Sequence, residues 1–261
     1  MIVSGIKTLI DYADLLYTMT MLRLSVRYKQ SLLGWFWAVL QPLALMISYT
    51  AIFSRVAKLS SEGIPYPLFV LTALLPWVFF SSAISGATIG IVHYGNLVMK
   101  VYFPREILPL SYIAASLFDF CIASLMLALL MLYYRVALTW NALYALPIFG
   151  ILIVFTSAVS LIVSAAQVRM RDVSMAMPLV LQVLLFATPV VYPLRSVPSN
   201  IRRIYLMNPV AVLIDSFRRV LLHGDSPNGA LLAIASAITI LTTVLAYISF
   251  KTLEATMADF I

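Results

Sequence analysis

The chain has 261 residues, 63% of them hydrophobic and only 10% charged, against about 25% charged in soluble domains. No soluble core hides that much apolar surface, so the composition excludes a soluble globular fold and points to one polytopic helical membrane domain over residues 1–261. The formal charge of +7 favours anionic surfaces, membrane lipid headgroups first and an anionic substrate second, while the scatter of the basic residues argues against nucleic acid.

Lys7, Asp11, Asp14 and Arg23 break any early apolar run, so no cleavable signal peptide is expected. Residues 5–22 read as an amphipathic helix lying on the membrane. Lys7, Asp11, Asp14 and Thr18 share one face, and Leu9, Tyr12, Leu16 and Met19 the other. Arg23 and Arg27 rotate to the apolar side, which places the turn into the bilayer there and bounds an interfacial segment at 5–30. A plain topogenic flank explains these arginines equally well. Residues 32–53 then carry no charge, close to the ~20 residues a helix needs to cross. Trp35, Phe36 and Trp37 open this run, where aromatic rings favour the headgroup boundary. Gln41-Pro42 lies near its middle: the proline bends the helix, and the amide needs a partner.

From Arg23 to Pro42 the order is R-x-x-x-R-Y-K-Q-S-x-L-G-W-x-W-A-x-x-Q-P. It resembles the opening of the membrane subunits of ABC-2 type polysaccharide exporters, which move O-antigen, teichoic acid and related lipid-linked glycans. Asn208-Pro209, followed by Asp215, Phe217 and Arg218, resembles a second element of that family. The resemblance implies an all-α protein with six spans, working as two copies with a separate ABC ATPase. It also implies that the N-terminal segment, with Arg23, Arg27 and Lys29, helps form the ATPase contact.

The second span is expected over 67–92. Residues 93–105, HYGNLVMKVYFPR, are too polar to cross and too apolar for a solvated linker. A short helix docking on another protein fits them, and so does a headgroup-embedded turn. The family resemblance implies a cytoplasmic coupling helix here, with Asn96, Lys100 and Arg105 in the ATPase contact. The third span, 107–134, is interrupted by Asp119, with no basic residue near it in sequence. Two readings stand: a functional carboxylate, or an interhelical bond holding the bundle together, with Asp119 paired to Arg or protonated. The fourth span covers 142–168. Cys121 is the only cysteine, which leaves no intrachain disulfide or thiolate metal cluster and reads as simple packing.

The fifth span, 174–192, is short and holds Pro178 and Pro189. In the long connection after it, Asn208 is an N-cap with Pro209 at the first helical position, and the helix should run to about Leu222 and stop near Gly224. Too short to cross, it reads as a re-entrant or interfacial helix. The sixth span covers 230–250.

With the N-terminus inside, nine of the 17 basic residues fall inside and eight outside, so the count does not orient the chain. Lys7, Arg23, Arg27 and Lys29 ahead of the first span favour a cytoplasmic N-terminus. Arg195, Arg202, Arg203, Arg218 and Arg219 then lie outside, against the usual bias. Beside the capped N-terminus at Asn208-Pro209 they read as an outer gate for a phosphate-bearing lipid end, or as contacts to anionic headgroups.

Three function classes compete. Membrane-embedded catalysis needs converging acids, bases or ligands. The only histidines, His93 and His223, fall on opposite sides and Asp119 is the only mid-span acid, so no catalytic or metal set is expected. Ion coupling finds broken helices at Pro42 and Pro178 but almost no ion-binding groups. A phosphate-binding GxxxxGK[ST] loop needs Gly before Lys, whereas Ile6, Tyr28, Ala57, Met99 and Phe250 precede the five lysines. The chain is therefore expected to bind no cofactor, ATP being bound by the partner subunit. Because the family resemblance implies what composition does not supply, the favoured reading is an inner-membrane permease for a lipid-linked polysaccharide. Trp35, Trp37, Tyr49, Phe53 and Trp77 offer aromatic faces for a sugar track or, equally, a lipid belt. A lipid or drug exporter of the wider ABC-2 class is the alternative.

Overall fold

A computed structural model describes residues 10–29, 31–56, 61–254 and 257. Every regular element among them is helical. In order they are α1 (Ala13–Tyr28), α2 (Trp37–Tyr49), α3 (Tyr66–His93), α4 (Gly95–Lys100), α5 (Ile107–Tyr133), α6 (Ala145–Arg169), α7 (Val173–Ala187), α8 (Ser199–Met207), α9 (Pro209–Leu222) and α10 (Gly229–Glu254). A 3-10 turn at Gly34–Phe36 leads into α2, and a π-helical stretch, Thr50–Val56, continues it.

Among the described residues five segments are long and apolar enough to cross a membrane: Gly34–Ser54, Tyr66–His93, Ile107–Tyr133, Trp140–Arg169 and Gly229–Glu254. The segment expected as a fifth span folds as α7, whose 15 residues reach only about 22 Å. It ends because Thr188 precedes Pro189, and a residue before proline is pushed to the extended conformation it adopts here (φ −111°, ψ 134°).

The bundle is built around α3. That helix is apolar on all sides and is therefore buried along most of its length, with α2, α5, α6, α7 and α9 around it. One apolar core fills the end where α3 begins and α9 packs. A second gathers Ile91, Val98, Phe103, Leu108, Val168 and Phe250 at the opposite end, with Tyr12, Leu15 and Met19 laid against it.

The N-terminal helix does not turn at Arg23. It continues through Arg27 to Tyr28 along the start of α5, burying Thr20, Leu24 and Tyr28 at four-residue spacing. Asp11, Asp14 and Thr18 are exposed, and Tyr12, Leu16 and Met19 half-buried. The expected helical residues 5–9 lie outside the described residues. What keeps the helix straight is a stack of side chains. The Arg23 guanidinium lies 3.2 Å from the Tyr112 ring centre, and its Nε donates to Ser111 Oγ at 2.6 Å. Tyr112 also rests on Gly86 and Gly90 of α3, where any Cβ would meet the ring. An arginine on the apolar side is thus a rivet between helices.

Candidate functional site

Between α1, α2, α3 and α5 lies a cavity of about 440 Å³. Trp37, Phe79 and Phe120 give it aromatic walls, while Ser31, Gln41, Ser82 and Ser116 add hydroxyls and an amide. Its charged corner holds Asp119, which pairs with Arg27 and accepts from Tyr28 Oη at 2.6 Å. Burial, then the hydrogen bond to Asp119, pushes the Tyr28 phenol up to about 12, so it stays a donor. Asp119 is therefore not isolated. Its partners come from α1, which supports the interhelical reading, and they set a carboxylate into the wall of the cavity.

The five aromatic residues singled out from sequence do not form one surface. Trp35, half-exposed, stacks on Tyr28 at 5.9 Å and meets Phe118 edge-on at 4.7 Å. Trp37 faces the cavity. Tyr49 and Phe53 pair at 6.0 Å farther along the first span. Trp77 is buried on another side of α3, lining a separate hollow of about 170 Å³ with Phe155 and Asn208.

At the other end of the bundle, Asn208 caps α9 as expected: its Oδ1 accepts from Val210 N–H at 3.1 Å, and Pro209 is the first helical residue. The helix stops at Leu222, ahead of Gly224 at φ +67°. Its two arginines are placed unlike the expectation. They sit about 15 Å from the capped N-terminus, ten residues along the helix, so they add nothing to its field. Arg218 is 2% exposed; it bonds Asp215 at 3.1 Å and covers the Phe69 ring at 3.9 Å. On a 3.6-residue period Asp215 and Arg218 share the buried face, and Arg219 turns about 100° away. Arg219 reaches Asp225 at 3.1 Å. Beside it Glu62, at φ 55°, lies 3.4 Å from His223 and 3.8 Å from Arg195. Arg202 donates to the carbonyls of Arg195 and Val197, while Arg203 is exposed. Four of the five loop arginines thus find partners within the protein.

The segment read as an ATPase contact contains the short helix α4. Asn96, Met99, Lys100, Val101 and Tyr102 are exposed, whereas Val98 and Phe103 are buried in the adjoining core. Lys29 is also exposed; Arg23 is half-buried against Ser111, while Arg27 stays exposed as it pairs with Asp119. Arg105 is half-buried against Glu254. Three features escaped sequence reading: α8, the Glu62 clasp, and an ion network of Glu106, Lys251 and Glu254. Only the Lys251–Glu254 spacing was a local signal.

The sequence matches the family described as ABC-2 type transporter over residues 14–222. It is 29% identical over 238 residues to the O-antigen export system permease protein RfbA of Myxococcus xanthus, covering 90% of each chain. A Klebsiella pneumoniae protein of the same name is 31% identical over 214 residues, 81% of each chain. The polysialic acid transport protein KpsM of Escherichia coli is 25% identical over 239 residues, 88% of this chain and 90% of that one. Together with five helices of spanning length, these relatives make this a multi-pass membrane protein. The chain belongs to the ABC-2 type transporter family.

Proposed function

We propose that this chain is the transmembrane subunit of an ATP-driven exporter that moves a lipid-linked polysaccharide across the cytoplasmic membrane. The observation that carries the reading is similarity over 81–90% of the chain to permeases named for O-antigen export. The similarity to a polysialic acid transporter favours a glycan over a drug or lipid. A cavity with aromatic walls, hydroxyls and a carboxylate beside the first span suits a hydroxyl-rich substrate.

Two copies of the chain bind two copies of an ABC ATPase, which supplies the ATP site; this chain is not itself an enzyme. The N-terminus is cytoplasmic. Six segments cross, α7 acting as the short fifth, and α9 is a re-entrant helix held largely inside the protein. Trp35, Trp37, Tyr49 and Phe53 lie along the glycan path. Asn208, Pro209 and Arg219 belong to an outer gate, with Arg218 holding the gate helix from inside. Asn96, Lys100 and Lys29 face the ATPase.

The experiment is export in cells lacking the chain. Complementation should return the glycan to the surface, and the purified chain should hydrolyse ATP only together with the co-purified ATPase. Robust hydrolysis by the chain alone overturns the assignment.

A further inference from the structure

The stretch between α4 and α5 has little helical support of its own. Tyr102, Phe103 and Pro104 belong to no helix. Its polar anchors run to one element, the end of α10. Arg105 N–H donates to Glu254 Oε1 at 3.1 Å, and the Arg105 guanidinium donates to the Glu254 carbonyl. Lys251 Nζ lies 2.9 Å from Glu106 Oε2 and 2.8 Å from Glu254 Oε2. Glu106 sits at the N-cap of α5 yet makes no capping bond. It is 3% exposed, and its Oε1 has no hydrogen-bond partner among the described residues.

This is an expensive arrangement. A buried, half-satisfied carboxylate stabilises a fold less than a well-packed apolar pair of the same volume. Stability alone therefore gives little reason to keep it. What it provides is direction. α10 is 26 residues long, about 39 Å, and packs against α9 at the far end of the bundle. A push on the 95–105 segment is delivered through the ion network to a rigid helix that touches the gate.

We infer that Glu106, Lys251 and Glu254 are positioning residues that lock the ATPase-contact segment to α10, so that ATP-driven movement reaches the outer end. The inference rests on the reading of residues 95–105 as that contact, and its test separates the two.

The variants are made in the complex with the ATPase, reconstituted in liposomes, with Asn96→Cys as a cross-linking reporter. Lys251→Met alone strands the Glu106 carboxylate and should lower the yield of folded complex. Glu106→Gln with Lys251→Met removes both charges and should restore the yield. In that double variant the cross-link and ATP hydrolysis should persist, while glycan exported per ATP falls about 2- to 30-fold, the range by which residues on a coupling route shift coupling. Lys251→Arg should keep export. Wild-type export per ATP in the folded double variant overturns the inference and leaves a purely structural network. Should the double variant not fold, Glu254→Gln carries the test with the same criterion. Loss of the Asn96→Cys cross-link in the otherwise wild-type complex overturns the contact reading, and this inference with it.

Discussion

Alanine at Gly86 tests the packing of the first helix against the bundle. An ideal Cβ there stands 2.4 Å from Cδ1 of Tyr112 and 3.1 Å from two further ring atoms. Normal contact needs about 3.5 Å or more, so the ring must retreat by about 1 Å. Its retreat is limited, because Arg23 lies 3.2 Å from the ring centre and is tied to Ser111. Overpacking of this kind costs about 1–3 kcal/mol. Replacing a helical glycine by alanine returns about 1 kcal/mol, leaving a net loss of about 1 kcal/mol. At about 2–4 °C per kcal/mol for a chain of this size, Tm should drop by about 3 °C. Gly90→Ala, with its closest approach at 2.7 Å, should show a smaller drop. Gly150→Ala in α6 meets nothing within 4 Å and should raise Tm, which makes it the control. The assay is thermal unfolding of the detergent-purified protein. Gly86→Ala combined with Tyr112→Leu should recover most of the loss relative to Tyr112→Leu alone. A Gly86→Ala protein as stable as the Gly150→Ala control refutes the stack.

Other outcomes follow from the site. Asp119→Asn and Arg27→Gln should each weaken the seating of α1, and their double variant should lose less than the sum; strict additivity in a double-mutant cycle excludes a working pair. Trp37→Ala should lower surface glycan with the complex intact, whereas Trp77→Ala, in a buried site, should cost about 3–5 kcal/mol and reduce protein in the membrane; quantifying both by immunoblot beside surface glycan separates them. Arg218→Gln should deplete folded protein because it strands the largely buried Asp215, while Arg219→Gln should leave the protein level normal and slow export. Equal protein loss in the two variants contradicts their assigned faces.

Five of the six expected spans were legible because uncharged runs bounded by charges have one physical solution in a bilayer; the expected fifth was not, since Pro189 cuts its helix to 15 residues. α9 was legible as well, since Asn208-Pro209 and Gly224 punctuate it through local chemistry. α8 was not. Ser199–Met207 carries two arginines in nine residues and reads as a polar loop until its neighbours are in place. Asp119 looked isolated because its partner, Arg27, is 92 residues away in sequence. The two arginines of α9 were legible as charges but not as faces. Helical period alone could have set Arg218 beside Asp215 and Arg219 apart; whether that face was buried depended on Phe69 in α3. The aromatic residues of the first spans shared a composition, yet the bundle sends Trp37 and Trp77 to different sides of α3.

The burial of α3 also bears on how the protein is made. A helix that ends at the centre of the bundle is synthesised before α5, α6 and α9 exist, so it must wait in lipid without them. Two of its buried polar groups suit that interval. Thr72 and Thr88 each donate to a carbonyl four residues back, at 2.8 Å, and need nothing from a later helix. Arg218 arrives near the end of synthesis and meets the opposite difficulty, a charge entering an assembled interior. It travels with Asp215, its counter-ion, one turn earlier on the same helix. Thr72, Thr88 and Arg218 are thus satisfied or neutralised within their own helices before tertiary partners are required, which spares the bilayer those unpaired groups as insertion proceeds in chain order.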